Sequence, residues 1–316
     1  MICKGNKSNV ALKPFNEKTK CCTYIPNIPN YLVGNILSED NILAQTGKER
    51  ITNTIDKRID VTPKGIAPPK IFGLLYDKFK KNGFGHSDKF VCPYYESESG
   101  NCTVWKYRTS DCSTYFCKYI SNEKGKEFWQ HLLRYLKHTE QSLIDYVLLK
   151  FNFENTILFG ISEELSVEEI DGKAISEEDY RRNWKDSKMN EKDFFIEAYE
   201  LIRSLNKDEF ISIVGTKGNI FLKRLEYSYH SMMNIPSKLI LNDHIKFEEI
   251  GNRQYLVRID LIDTKFKLDK EILEIFDGKQ TNEENINSLI ERNIEIDLEL
   301  IRALYNYDVL QDVNFK

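Results

Sequence analysis

The chain has 316 residues, room for about two domains, and its 45 Lys+Arg against 49 Asp+Glu leave a net charge of -4, which argues against a nucleic-acid binder that works by overall charge. A hydrophobic fraction of 41% can fill a sizeable core and argues against wholesale disorder. No apolar run reaches the roughly 20 residues of a membrane span, and the opening MICKGNKSNVALKPFNEK lacks the apolar stretch of a signal peptide, so the chain is expected to be soluble and cytoplasmic, without a membrane partner.

The first 120 residues are rich in turn signals, with Pro26, Pro29, Pro63, Pro68, Pro69 and Pro93 spread among short segments. One short helix is predicted after Pro69, with Ile71, Leu74, Leu75 and Phe79 on its apolar side and Gly83 as its stop. A longer amphipathic helix follows: Phe128, Trp129, Leu132, Leu133, Leu136, Leu143, Ile144, Val147 and Leu148 recur at helical spacing, and it is expected to pack over the segment before it. Positions 162–179 then hold eight acids and one base, the composition of a solvated connection, and the domain transition is placed there or just after. Asn190 is positioned to cap a helix with the stripe Phe194, Ala198, Leu201, Ile202 and Leu205. A short strand is predicted at Phe210–Val214, leading into Gly215-Thr-Lys-Gly218, a hairpin turn rather than a phosphate loop because the Walker spacing is incomplete.

From Ser237 onward IKFEEI and RQYLVRI read as two strands around a tight Gly251-Asn252 turn, with TKFKL as a third strand. A helix over Asp269–Phe276 stops at Gly278, Thr281 and Glu284 form a capping box for the next helix, and a last helix covers Leu298–Tyr305. Three strands followed by three short helices form one compact α+β module.

The cysteines carry the chemistry. Six of seven lie between positions 21 and 117: Cys21, Cys22, Cys92, Cys102, Cys112 and Cys117. A disulfide-dense secreted scaffold is normally short, so this clustering in a long chain without an export signal points to a metal or redox centre. Thiolates are soft anionic donors that suit zinc and iron, and a site of three or four draws them from separate loops. On one continuous helix Cys112 and Cys117 would point about 140° apart, so a shared centre requires the segment to break or wrap. Cys21 and Cys22 would face opposite ways in a strand, so a single zinc takes one of them and a multinuclear cluster both. Six candidates exceed the four that one zinc or one cubane cluster needs. Cys3 lies outside the pattern and reads as an unliganded thiol. His86, six residues before Cys92, is a weaker candidate ligand than a polar turn residue, and His131 and His138 read as solvated residues on one helix.

Cys21-Cys22, Cys92-Pro93-Tyr94, Gly100-Asn101-Cys102 and Val104-Trp105 through Arg108 to Cys112 resemble the YkgJ-type cysteine-cluster family, which binds zinc or iron, over roughly residues 20–120. Arg108-Thr109 stands where that family has Arg-Pro, and Ser113 where Arg follows the last motif cysteine. The resemblance implies a metal site with Arg108 as a neighbour to the thiolate charge. Flagellin lysine-N-methylases look like distant relatives with an iron-sulfur cluster, which implies protein modification as one activity of the superfamily. Residues 237–312, with Leu268, Ile272 and Phe276-Asp277-Gly278 before Thr281, resemble PqqD-like winged-helix peptide-recognition domains, which bind a peptide as an added strand. Winged helices also bind DNA. From Ser237 to the end, however, 11 Lys+Arg face 17 Asp+Glu, a net -6, and phosphate repulsion disfavours DNA.

The expected fold class is therefore α+β, mainly helical. A loop-rich metal-binding domain with its covering helix occupies residues 1–160, an acidic connection and helical or strand segment 161–236, and a winged-helix-like module 237–316. The expected function is that of an iron-sulfur protein acting in peptide or protein modification, with the peptide held by the C-terminal module. The alternative is a non-enzymatic structural or interaction protein stapled by zinc.

Overall fold

The computed structural model describes residues 15–116, 119–153, 165, 167–171, 173, 177–184, 189–251, 254–259 and 264–315. It is predominantly helical with four small antiparallel sheets, an α+β molecule. The described residues form two compact units, and the division falls inside two long helices: the first unit takes in Lys13–Tyr115 and Leu136–Asn219, the second Phe116–Tyr135 and Ile220–Lys316. Among the described residues no helix is long and apolar enough to cross a membrane.

In the first unit β1 (Ile28–Pro29) runs into α1 (Asn30–Leu37), and α2 (Gln45–Asp56) follows. The strands β2 (Val61–Thr62) and β3 (Gly65–Ile66) complete a three-stranded sheet in the order β1-β3-β2. Next come α3 (Lys70–Gly83), a two-stranded ribbon of β4 (Tyr95–Glu96) and β5 (Asn101–Cys102), and the five-residue α4 (Ser110–Thr114). The long α5 spans Asn122–Lys150; α6 (Val167–Ile170), α7 (Glu177–Trp184) and α8 (Glu191–Arg203) follow. α8 starts where Asn190 accepts the Asp193 N–H with its side chain, as the cap residue predicts. Its inner stripe, Phe194, Phe195 and Ala198, packs with α1 and with Phe153 and Trp184 into one apolar core. Cys92, Tyr94, Val104 and Tyr107 belong to the same core, so the cysteine-bearing loops rest on a rigid base.

Two sequence expectations change in this unit. The predicted apolar side of α3 faces solvent: Leu74, Leu75 and Phe79 are exposed. The helix instead buries an aromatic row, Phe72 stacked on Tyr76 at 5.6 Å and both edge-on to Phe90 at 5.7 and 5.8 Å, because broad rings bury more apolar area per side chain. The predicted strand at Phe210–Val214 is helical, within α9 (Lys207–Met233). That helix is interrupted at Gly215, whose φ of 67° and ψ of -170° lie in a region open essentially to glycine alone. Gly215-Thr-Lys-Gly218 is thus a break between two helical stretches and not a hairpin turn.

In the second unit β6 (Leu239–Leu241) precedes a meander of β7 (Lys246–Gly251), β8 (Gln254–Ile259) and β9 (Thr264–Asp269). Lys246 pairs with Arg258 and Tyr255 with Leu268, so the predicted hairpin and third strand are present. Gly251 pairs with Gln254, which places the connection at 252–253, one residue later than predicted and outside the described residues; an irregularity between Glu249 and Gly251 makes the shift. The helices α10 (Lys270–Ile275), α11 (Asn282–Glu291) and α12 (Leu298–Asn306) follow, and Thr281 and Glu284 form the reciprocal capping box. A final strand, β10 (Leu310–Asp312), returns antiparallel to β6, a pairing the sequence reading did not contain. Leu239, Val257, Leu268, Phe276, Leu289, Ile301, Leu304 and Leu310 form this unit's own core.

Candidate metal centre

Backbone hydrogen bonds tie three cysteine-bearing segments together, and the side chains of Arg108 and Glu140 hold the turn that carries Cys112. The Cys92 N–H donates to the Cys22 carbonyl at 2.9 Å, which ties the Cys21-Cys22 segment to the Cys92 loop. The Tyr95 N–H donates to the Cys92 carbonyl at 3.0 Å, and Tyr95 is the register partner of Cys102 across the β4–β5 ribbon. Arg108 donates from Nη1 to the Cys112 carbonyl at 3.3 Å and from Nε to the Trp105 carbonyl at 3.2 Å. Its guanidinium stacks 3.4 Å from the centroid of the Trp105 ring, which is 63% exposed.

Residues outside the motif hold these segments. Arg50 on α2 reaches the carbonyls of Pro93 at 2.9 Å and Tyr95 at 3.1 Å, and so clamps the loop after Cys92. α2 approaches so closely at Gly47 that a Cβ there would lie 2.4 Å from the Thr103 carbonyl oxygen, next to Cys102. Lys20 donates to the Gly100 carbonyl at 2.8 Å. Glu140 of α5 accepts from the Ser110 N–H at 2.7 Å and the Ser110 hydroxyl at 2.6 Å, supplying the cap that Thr109 does not provide at the start of α4. Lys137 adds an ion pair to Asp111 at 2.8 Å. The predicted packing of the long helix over the cysteine region is therefore present, and it orients the turn that carries Cys112.

All five described cysteines are free thiols: Cys92 is buried, and Cys21, Cys22, Cys102 and Cys112 are half-buried. They sense one another electrostatically. A hydrogen bond from Cys22 draws the Cys21 thiol down to about 6, aided by Lys20 and Arg108, while the same bond pushes Cys22 up. Burial raises Cys92 to about 12 and Cys112 to about 11, and it raises Cys102. The neighbours that act on Cys92 are Cys102 and Cys112; those that act on Cys22 include Cys102 and Cys92. Cys21 lies at the margin, facing Cys22 and two cations. Arg108 favours the ionised form at Cys21, Cys102 and Cys112.

Among the described residues no three His, Cys, Asp or Glu side chains stand together in ligating geometry. The donor set, five thiols, is of the soft kind that suits a thiophilic metal. Cys3 and Cys117 lie outside the described residues. His86 packs edge-on against Phe15 with ring centroids 5.7 Å apart. His131 and His138 are partly buried rather than solvated: His131 pairs with Glu127 at 3.6 Å, and His138 Nε2 lies 2.9 Å from the Val214 carbonyl. Arg50 and Glu140 were missed by sequence reasoning, since nothing in their local pattern marks them. No protein-family model, curated protein or solved structure matches this chain.

Proposed function

We propose that the first unit binds an iron-sulfur cluster through thiolates drawn from Cys21, Cys22, Cys92, Cys102 and Cys112. The observation that carries this reading is that five free thiols from four separated segments belong to one unit, with the Cys22 carbonyl bonded to Cys92, the Cys92 carbonyl bonded to the partner of Cys102 in the ribbon, and Arg108 bonded to the Cys112 carbonyl. Cys22 and Cys92 feel the charge of Cys102, as does Cys112, and Cys21 is hydrogen-bonded to Cys22. A cluster so held supplies electron transfer or an open iron position. Arg108, stacked on the exposed Trp105 ring, would offset its negative charge.

In the same reading the C-terminal unit is a winged-helix-like module that receives a peptide or protein substrate for modification. The three-stranded meander followed by three helices supports it, and the net -6 from Ser237 onward disfavours DNA as the partner. The cytoplasm, where thiols stay reduced, is the compartment that suits these free cysteines.

Protein purified without oxygen is expected to be brown, to contain iron and sulfide, and to lose its visible band on oxidation. Cys92→Ser, Cys102→Ser and Cys112→Ser should each lower iron content severalfold. Zinc without iron would replace this reading with a zinc-stapled interaction protein, and unchanged metal content in all three variants would overturn the metal centre itself.

A further inference from the structure

The second unit contains a cavity of about 330 Å³ between the first turns of α5, the end of α9 and β10. Four carboxylates, Glu123, Glu127, Asp308 and Asp312, line it against two amines, Lys124 and Lys126. Both amines are already matched: Lys124 pairs with Asp308 at 2.6 Å and Lys126 with Glu123 at 3.0 Å. Glu127 meets the imidazole of His131 at 3.6 Å and acts on Lys124 at longer range. Asp312 Oδ1 accepts the N–H and side-chain amide of Asn314 at 3.0 and 2.9 Å, both neutral donors. The lining therefore carries a net charge of two negative units, even with Lys124 also acting on Glu127.

Aromatic rings complete the wall. The Tyr305 hydroxyl lies 2.6 Å from Ser231 Oγ, and Lys124 Nζ sits 5.0 Å from the Tyr305 ring centroid, so an ammonium is already accommodated against this ring. Tyr227 lines the same space and is exposed at the surface. Burial raises both phenols, and the charge of Asp312 adds to each, which places that carboxylate within reach of both rings. Carboxylates beside electron-rich ring faces form the environment that receives an ammonium or guanidinium group. β10 supplies Asp312 and Gln311 to the wall, and its sheet has only two strands, β10 and β6, among the described residues. An extended segment added along the other edge of β10 presents alternate side chains to one face.

We propose that this cavity is the subsite for a lysine or arginine side chain of an extended peptide segment docked along β10. The proposal rests on the reading of this unit as a peptide receiver and adds the substrate class: basic segments.

The test titrates the full-length protein by calorimetry with acetyl-arginine amide, its neutral isostere acetyl-citrulline amide, and the pentapeptides acetyl-Val-Thr-Arg-Thr-Val-amide and acetyl-Val-Thr-Cit-Thr-Val-amide. The arginine pentapeptide should bind at least about tenfold more tightly than arginine amide and than the citrulline pentapeptide. Asp312→Asn and Glu127→Gln should each weaken it about fivefold or more, with thermal melts showing both variants folded; the exposed Tyr227→Leu is the second route if Asp312→Asn melts early. Equal binding of the arginine and citrulline pentapeptides, unaffected by Asp312→Asn, overturns the basic subsite and leaves the peptide reading standing. Binding of arginine amide with no gain from the pentapeptide overturns the docking along β10, and absence of all binding overturns both.

Discussion

At the scale of single residues, Asp60 shows how burial turns a carboxyl into a pH-dependent liability. Loss of solvent, with the charge of Glu169 adding and Lys70 opposing, raises its carboxyl from 3.8 to about 6. The folded state therefore holds this proton between about pH 4 and 6, where the unfolded chain releases it, and the group's contribution to stability is present below the unfolded value and lost as pH rises through 6. Asp60→Asn should raise the melting temperature at pH 7.5, and the gain should shrink to nothing as pH falls to 4. Scanning calorimetry across that range checks it, and a gain constant with pH would contradict the cause. Asn also suits the backbone there, since Asp60 has a φ of 51°. Residues such as Asp60, Arg50 and Glu140 were not legible in the sequence. Arg50 acts on the carbonyls of Pro93 and Tyr95, and Glu140 on Ser110; only chain folding brings such partners together. The cysteines were legible because six thiols concentrated in one region need no partner to be noticed.

At the scale of elements, α9 shows local propensity losing to context. Ile211, Ile213 and Val214 are β-branched or β-favouring residues, and their short run before a glycine reads as a strand, yet it forms the first part of a helix. Strand propensity is a statement about fitting a half-buried pleated surface, and no neighbouring strand is present for this run among the described residues. Gly215 breaks the helix with a conformation that side chains resist, although nothing lies within 4 Å of where its Cβ would be. Gly215→Ala should therefore destabilise the protein by about 1–3 kcal/mol through backbone strain alone, read as a lower urea midpoint with unchanged slope. A midpoint equal to that of the parent would mean that the two helical stretches merge without cost. Elements marked by their own side chains were legible: Asn190 caps α8, Thr281 and Glu284 cap α11, and the stop near Gly278 has a φ of 83°. The exposed face of α3 was not, because Leu74, Leu75 and Phe79 form as good a stripe as Phe72 and Tyr76 until Phe90 arrives from elsewhere in the chain.

At the scale of the whole molecule, the two units have separate apolar cores, and the five described cysteines belong to the first. A metal bound to folded thiolates stabilises the unit that holds them, because binding free energy becomes folding free energy. Removing the proposed metal with a chelator under anaerobic conditions should thus lower hydrogen-exchange protection at Val33, Ile51 and Val104 by about tenfold or more, while Leu289, Ile301 and Leu304 keep theirs. Equal loss in both cores would show that they unfold as one.

The sequence by itself determined what short-range chemistry determines: the helix caps, the β7–β8–β9 meander, the acidic balance of the C-terminal part and the concentration of thiols. The tertiary structure decided what depends on distant partners. It paired β6 with β10 across some 70 positions, buried the aromatic rather than the aliphatic side of α3, and closed an anionic, tyrosine-walled cavity from α5, α9 and β10. The physical reason is the range of the forces. A cap or an alternating strand is satisfied within a few residues, whereas burial and long-range pairing are settled only when the whole chain competes for the same interior.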